Sequence, residues 1–131
     1  MRAEDNRPLD IEPALRAIAM PADTNPSGDI FGGWLLSQMD LAGNTVATRR
    51  AKGRVATVAI TGMSFKHPVF VGDEVTCYVT IASIGHTSIT TRVESWVRRG
   101  VGEEAIKVTE GSFVYVAVGD GRRPRPLPAE G

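Results

Sequence analysis

The chain has 131 residues, 42% of them hydrophobic, and its 15 Lys and Arg balance 15 Asp and Glu to a formal charge of zero. A chain this size builds one domain, and no apolar run reaches the length a bilayer requires. Neutrality argues against a nucleic-acid binder while leaving room for a local basic patch that holds a phosphorylated ligand. The lone Cys77 excludes an intrachain disulfide, and Met1-Arg2-Ala3-Glu4-Asp5-Asn6 has no signal-peptide pattern, so a soluble cytoplasmic domain is expected.

Residues 1–13 read as a flexible N-terminus. Ala14 to Met20 is short, mostly apolar and closed by Pro21, which suits a first strand. Asp23-Thr24-Asn25-Pro26-Ser27-Gly28-Asp29 is turn-forming and leads through Ile30-Phe31 into the pair Gly32-Gly33. From Trp34 to about Ala51 there is no Pro, and Leu35, Leu36, Met39, Ala42, Val46 and Ala47 recur at helical spacing. The spacing predicts one long helix, with Gly53 in the left-handed position after it. Two features of this segment carry chemistry. The glycine pair lets another group approach the backbone where a helix start leaves N–H groups free. Asp40 falls on the helix among apolar neighbours, sharing a face with Leu36, Gly43 and Asn44. Lost hydration there would raise its pKa unless nearby donors hold the charged form. Exposed amides with a half-buried acid suggest a site that polarises a carbonyl and activates water.

After Gly53 the chain becomes strand-like. Val55 to Phe65 is apolar on both alternating sets, as expected of a strand covered on both faces. His67 to Asp73 is a bend, with Pro68 forcing extended geometry at His67. Glu74 to Ile84 is a strand closed by Gly85-His86. Ser88 to Arg98 alternates as a half-exposed antiparallel strand, with Ile89, Thr91, Val93, Ser95 and Val97 on one face. Ile106 to Val118 is the last strand. The Arg- and Pro-rich end, residues 119–131, has too little apolar surface to fold alone and is expected to be flexible. The domain is therefore 14–118, an α+β unit of one helix and about five antiparallel strands. One helix cannot cover both faces of such a sheet, so a second copy is expected to complete the structure.

At this point the chain resembles the hot-dog fold and, within it, the YciA-type acyl-CoA thioesterases. The resemblance rests on Met20-Pro21-Ala22-Asp23-Thr24-Asn25, Gly28-Asp29-Ile30-Phe31-Gly32-Gly33-Trp34, Ser37-Gln38-Met39-Asp40-Leu41-Ala42-Gly43, Gly53-Arg54-Val55-Ala56-Thr57-Val58, Val71-Gly72-Asp73 and Val93-Glu94-Ser95-Trp96. These blocks run in order from about Leu15 to Val118. The resemblance implies a curved sheet wrapped around the helix, sheets joined in a dimer, and commonly trimers of dimers. It also implies hydrolysis of acyl-CoA to CoA and a carboxylic acid.

It assigns the essential carboxylate to Asp40, as general base or nucleophile. Gly32 and Gly33 are expected to hold the oxyanion with backbone N–H groups. Asn25 is expected to act opposite the carboxylate of the other subunit, so that each site is shared. Arg54 and Lys66 are the preferred contacts for CoA phosphates, Ser88 is a weaker polar one, and Trp34 is a candidate for lining the acyl or pantetheine channel. Asp29 is read as the helix N-cap or a loop brace. His67, His86 and Cys77 show no metal-ligand or nucleophile pattern, so neither a metal nor a cofactor is expected. A hydratase on this fold would need a His beside the helix start or Asp40, and the sequence places none there. An acyl-CoA-sensing regulator would need a DNA-binding segment for which the chain has no room, which leaves a non-hydrolytic acyl-CoA-binding module as the alternative.

Overall fold

The computed structural model describes residues 9–102 and 104–130. Five strands, β1 (Leu15–Ile18), β2 (Val55–Phe65), β3 (Glu74–Ile84), β4 (Ser88–Arg98) and β5 (Ile106–Ala117), form one antiparallel sheet around a single long helix, α1 (Gly32–Ala51). The spatial order is β1-β3-β4-β5-β2, so short turns build the centre and the β1 and β2 edges flank it. Of the stretch 1–13, residues 1–8 lie outside the described residues.

The sheet buries the faces its alternation marks. Ile89, Val93 and Val97 of β4 meet Val75, Cys77 and Val79 of β3 and Phe113 and Tyr115 of β5 in one core. Onto them α1 lays Leu35, Met39, Ala42, Gly43, Ala47 and Ala51. Small residues along that face let the helix axis approach the strands closely. Cys77 belongs to this packing: its Sγ lies 3.3 Å from Ser95 Oγ, and burial pushes the thiol up to about 11, so it is inert.

The β2 strand differs from the sequence reading. Its apolar residues were expected to be covered on both faces, yet β2 pairs only with β5, and Val58 and Phe65 are 57% and 55% exposed. Val55 and Met63 pack against the core and Thr57 meets Asp40 of α1, but Val58, Ile60 and Phe65 stay exposed within one chain.

The C-terminal segment, expected to be flexible, docks instead. Arg125 donates from Nε to Val118 O (3.2 Å) and from its guanidinium to Ala51 O (3.0 Å). Leu127 N–H bonds His86 O and its side chain packs on the core, while Arg50 reaches Pro128 O at 2.7 Å. The last carbonyls of a helix have no intrahelical donors, and Arg125 fills that need at Ala51. This contact also changes the role of Gly53. The left-handed residue after α1 is Lys52 (φ 55°), not Gly53. A β-carbon at Gly53 would lie 2.6 Å from the Arg125 guanidinium, so the missing side chain leaves room for that guanidinium to reach Ala51 O and does not serve a left-handed φ.

Candidate active site

The polar loop before α1 is built around Asn25. Its Oδ1 accepts the N–H groups of Ser27 (2.9 Å) and Asp29 (3.1 Å), while its backbone N–H donates to Asp29 O at 2.7 Å. Gly28, at φ 90°, closes the turn. Because Oδ1 is spent on the loop, the amide turns its Nδ2 donor outward, and no described residue accepts from it. Asp29 braces the loop through its backbone. It is not the helix cap: that position is Phe31, which has no side-chain bond to the helix.

The helix begins two residues before Trp34. The first intrahelical bonds run from Trp34 and Leu35 N–H to Phe31 O, which leaves the N–H groups of Gly32 and Gly33 at the positive end of the helix dipole without helical acceptors. Both glycines are exposed. The Phe65 ring lies over Gly32, where a β-carbon would come within 3.7 Å of it. Asn25, Ile30, Gly32, Phe65, Lys66 and His67 line a cleft of about 330 Å³ at this point. Two predicted site residues, Asn25 and Gly32, are thus brought together with a third, Lys66.

Asp40 is not among them. Eight residues separate it from Gly32, about 12 Å along the helix axis, and its half-buried carboxylate faces β2 and β5. Thr57 Oγ1 donates to Oδ1 at 2.8 Å and the Tyr115 hydroxyl sits 3.0 Å from the same oxygen. Oδ2 makes no hydrogen bond to a described residue. Burial, reinforced by the Asp40 charge, pushes the Tyr115 phenol well above the usual tyrosine range, so it is a donor at any working pH. Thr57 and Tyr115 were missed by the sequence reading. The available signal was a tyrosine hydroxyl between the apolar Phe113 and Ala117 on the inward face of β5, where a buried Tyr O–H requires a partner.

The remaining predicted residues are dispersed. Trp34 is half-buried against the core and does not line the cleft. Ser88 opens β4 against Gly85 in the β3–β4 turn. Arg54 lines a second cleft of about 570 Å³ with Lys52, Asp120, Arg122 and Arg125. Among the described residues no group of three or more His, Cys, Asp or Glu side chains could hold a metal ion.

Lys66 is held by Glu110, which accepts from Lys66 Nζ at 2.8 Å and also from Arg92 and Lys107. The Lys66 and Arg92 cations draw the Glu110 carboxyl down to about 2 from 4.5. A carboxyl depressed in the folded state stabilises it fully above its unfolded value and loses that contribution as pH falls through the folded one. The stability difference between parent and Glu110→Gln should therefore be constant above about pH 4.5 and shrink toward pH 2. Thermal melts across that range check it.

Residues 27–103, which hold the glycine pair, Asp40 and β2 with Thr57, match the Thioesterase superfamily model. The chain belongs to the thioesterase superfamily. Within it, the chain is 50% identical to the acyl-CoA thioester hydrolase YciA of Salmonella typhimurium, with all of both chains covered. The hexameric thioesterase y2039 from Yersinia pestis is 51% identical, has a TM-score of 0.88 and is matched over 93% of this chain and 99% of its own. Cj0915, a hexameric hotdog-fold thioesterase of Campylobacter jejuni, is 42% identical with a TM-score of 0.85 over 89% and 90% of the two chains. The helix and five-stranded sheet of this superfamily member are the hot-dog fold that the sequence resemblance implied. No helix of the described residues is long and apolar enough to cross a membrane.

Proposed function

We propose that the chain is an acyl-CoA thioester hydrolase that releases CoA and a carboxylic acid at sites shared between two copies. The observation that carries this reading is the Asp40 carboxylate, pinned through Oδ1 by Thr57 and Tyr115 and open at Oδ2, in a chain half identical to acyl-CoA thioester hydrolases along its whole length. Asp40 acts as general base. Oδ2 takes a proton from water as the oxygen adds to the thioester carbon. The resulting oxyanion is met by the Gly32 and Gly33 N–H groups and the helix dipole, and a single such donor contributes about 3 kcal/mol. The tetrahedral intermediate then expels the CoA sulfur, which takes the proton that Asp40 removed from water and so restores the carboxylate. Asn25 Nδ2, at the cleft mouth, orients the thioester or the water. Every step uses protein groups and water, so the proposal includes no cofactor.

The sharing follows from distance. A cleft at the start of α1 and a carboxylate about 12 Å along the same helix cannot act on one carbonyl, so Asp40 of a second copy must face the cleft of the first. The free β2 edge, with Val58 and Phe65 exposed, supports antiparallel pairing of two β2 strands. That pairing sets the Val55 end of one copy beside the Phe65 end of the other. Arg54 of one copy then neighbours Lys66 of the other, and the two supply cations for the CoA phosphates, with Ser88 a more distant polar contact. Hexameric relatives support further assembly as a trimer of dimers. The cytoplasm is the proposed setting, in keeping with a lone thiol buried in the core.

Thiol release from short, medium and long acyl-CoAs, followed with a thiol reagent, tests the activity. Turnover of at least one chain-length class is expected. Tight acyl-CoA binding without thiol release would replace the hydrolase with a binding module.

A further inference from the structure

We infer that Tyr115 is a positioning residue for the Asp40 carboxylate and that Gly43 is the space that lets it act. This rests on the reading of Asp40 as the base. The Tyr115 hydroxyl lies 3.0 Å from Asp40 Oδ1 and 3.0 Å from Asp40 O, so its single O–H is shared between the side chain and the backbone carbonyl of one residue. Thr57 approaches Oδ1 from the β2 side at 2.8 Å. Two donors on one oxygen fix the carboxylate plane from two strands and leave Oδ2 as the oxygen with free lone pairs for water. No described cation pairs with the group, so Thr57 from β2 and Tyr115 from β5 are the polar groups that define its environment.

Gly43 makes this possible. It is buried one turn after Asp40, and a β-carbon added there would overlap the Tyr115 hydroxyl and crowd its ring. Any larger residue would drive the phenol off Asp40. The φ of Gly43 is ordinary for a helix, so the absence of a side chain at this position answers to the tyrosine rather than to the backbone. The Phe113-Tyr115-Ala117 face of β5 is otherwise apolar and fully buried. A phenylalanine at 115 would serve the packing equally well, so the hydroxyl is there for Asp40.

The test is Tyr115→Phe, which removes one oxygen and keeps the ring, assayed by thiol release across pH. The expected result is a fall in kcat of about 10- to 100-fold with KM within about twofold. The acidic limb of the profile should move to higher pH, because a lost donor disfavours the charged carboxylate. Gly43→Ala should shift that limb in the same direction, and the double variant should cost less than the product of the singles. A purely structural role would lower the folded fraction without moving the limb. A parent-like kcat and limb in folded Tyr115→Phe overturns the proposal. Asp40→Asn, run alongside, separates the two readings: an active Asp40→Asn enzyme removes the base itself, whereas a dead one beside a parent-like Tyr115→Phe removes only the positioning role.

Discussion

Asp40→Asn is expected to lower kcat by about a thousandfold, within the range of positioned acid–base groups, while acyl-CoA binding and Tm stay close to the parent. The substitution is nearly isosteric. Thr57 and Tyr115, both donors to Oδ1, can still donate to an amide oxygen, so the side chain keeps its place. What disappears is the basic lone pair at Oδ2, which an amide nitrogen cannot replace. The loss should therefore fall on kcat and not on KM, the signature of an interaction made in the transition state. Steady-state kinetics with thiol detection, beside calorimetric CoA binding, checks both halves. A variant retaining activity within tenfold of the parent would remove Asp40 from the chemistry.

Asp73→Ala should cost about 2–3 kcal/mol of stability, less than breaking a fully buried pair does because the Arg99 side chain is 31% exposed. Asp73 is buried at the end of the Pro68–Asp73 bend, and its carboxylate accepts from Arg99 Nε at 3.1 Å and from Phe70 N–H at 2.8 Å. Arg99 in turn donates to Pro68 O at 2.8 Å and lies over the Phe70 ring. Removing the carboxylate leaves the Phe70 N–H and the Arg99 Nε–H without their acceptor, while Pro68 O still accepts from the guanidinium. The bend matters to the site because Val69 O accepts the Ile30 N–H at 3.1 Å, which ties the Asn25 loop to the cleft wall. KM for acyl-CoA should consequently rise along with the loss of stability. Denaturant melts and steady-state kinetics on the same preparation measure the two effects. A variant with parent stability would mean that the Arg99 contact contributes nothing net.

The elements with strong periodicity were legible in the sequence. The β4 strand, Ser88–Arg98, has the predicted bounds, because its alternation is complete and turns delimit it. The loop and glycine pair were legible because Asn, Pro and Gly punctuate the backbone locally. What escaped was set by contacts between distant residues. Thr57 is 17 positions from Asp40 and Tyr115 is 75, and no local pattern reports such a meeting. The C-terminal segment was read as loose because its composition lacks apolar area. It docks by another means, with Arg125 bonding Ala51 O, 74 positions away. Gly53 was assigned to φ for the same reason: the guanidinium that occupies the space beside it lies beyond any local window. The uncovered β2 face is a different case. The sequence showed a strand built to be covered on both faces, and a single chain leaves Val58 and Phe65 exposed.

The shared site is the central claim, and subunit complementation tests it most directly. Asn25→Ala and Asp40→Ala proteins, each inactive alone, are dissociated, mixed in equal amounts and reassembled. In a heterodimer one site lacks both groups and the other regains both, so with random pairing about a quarter of the parent activity should return, from dimers carrying one working site. Verified heterodimers that recover nothing would contradict a site assembled from Asn25 of one copy and Asp40 of the other.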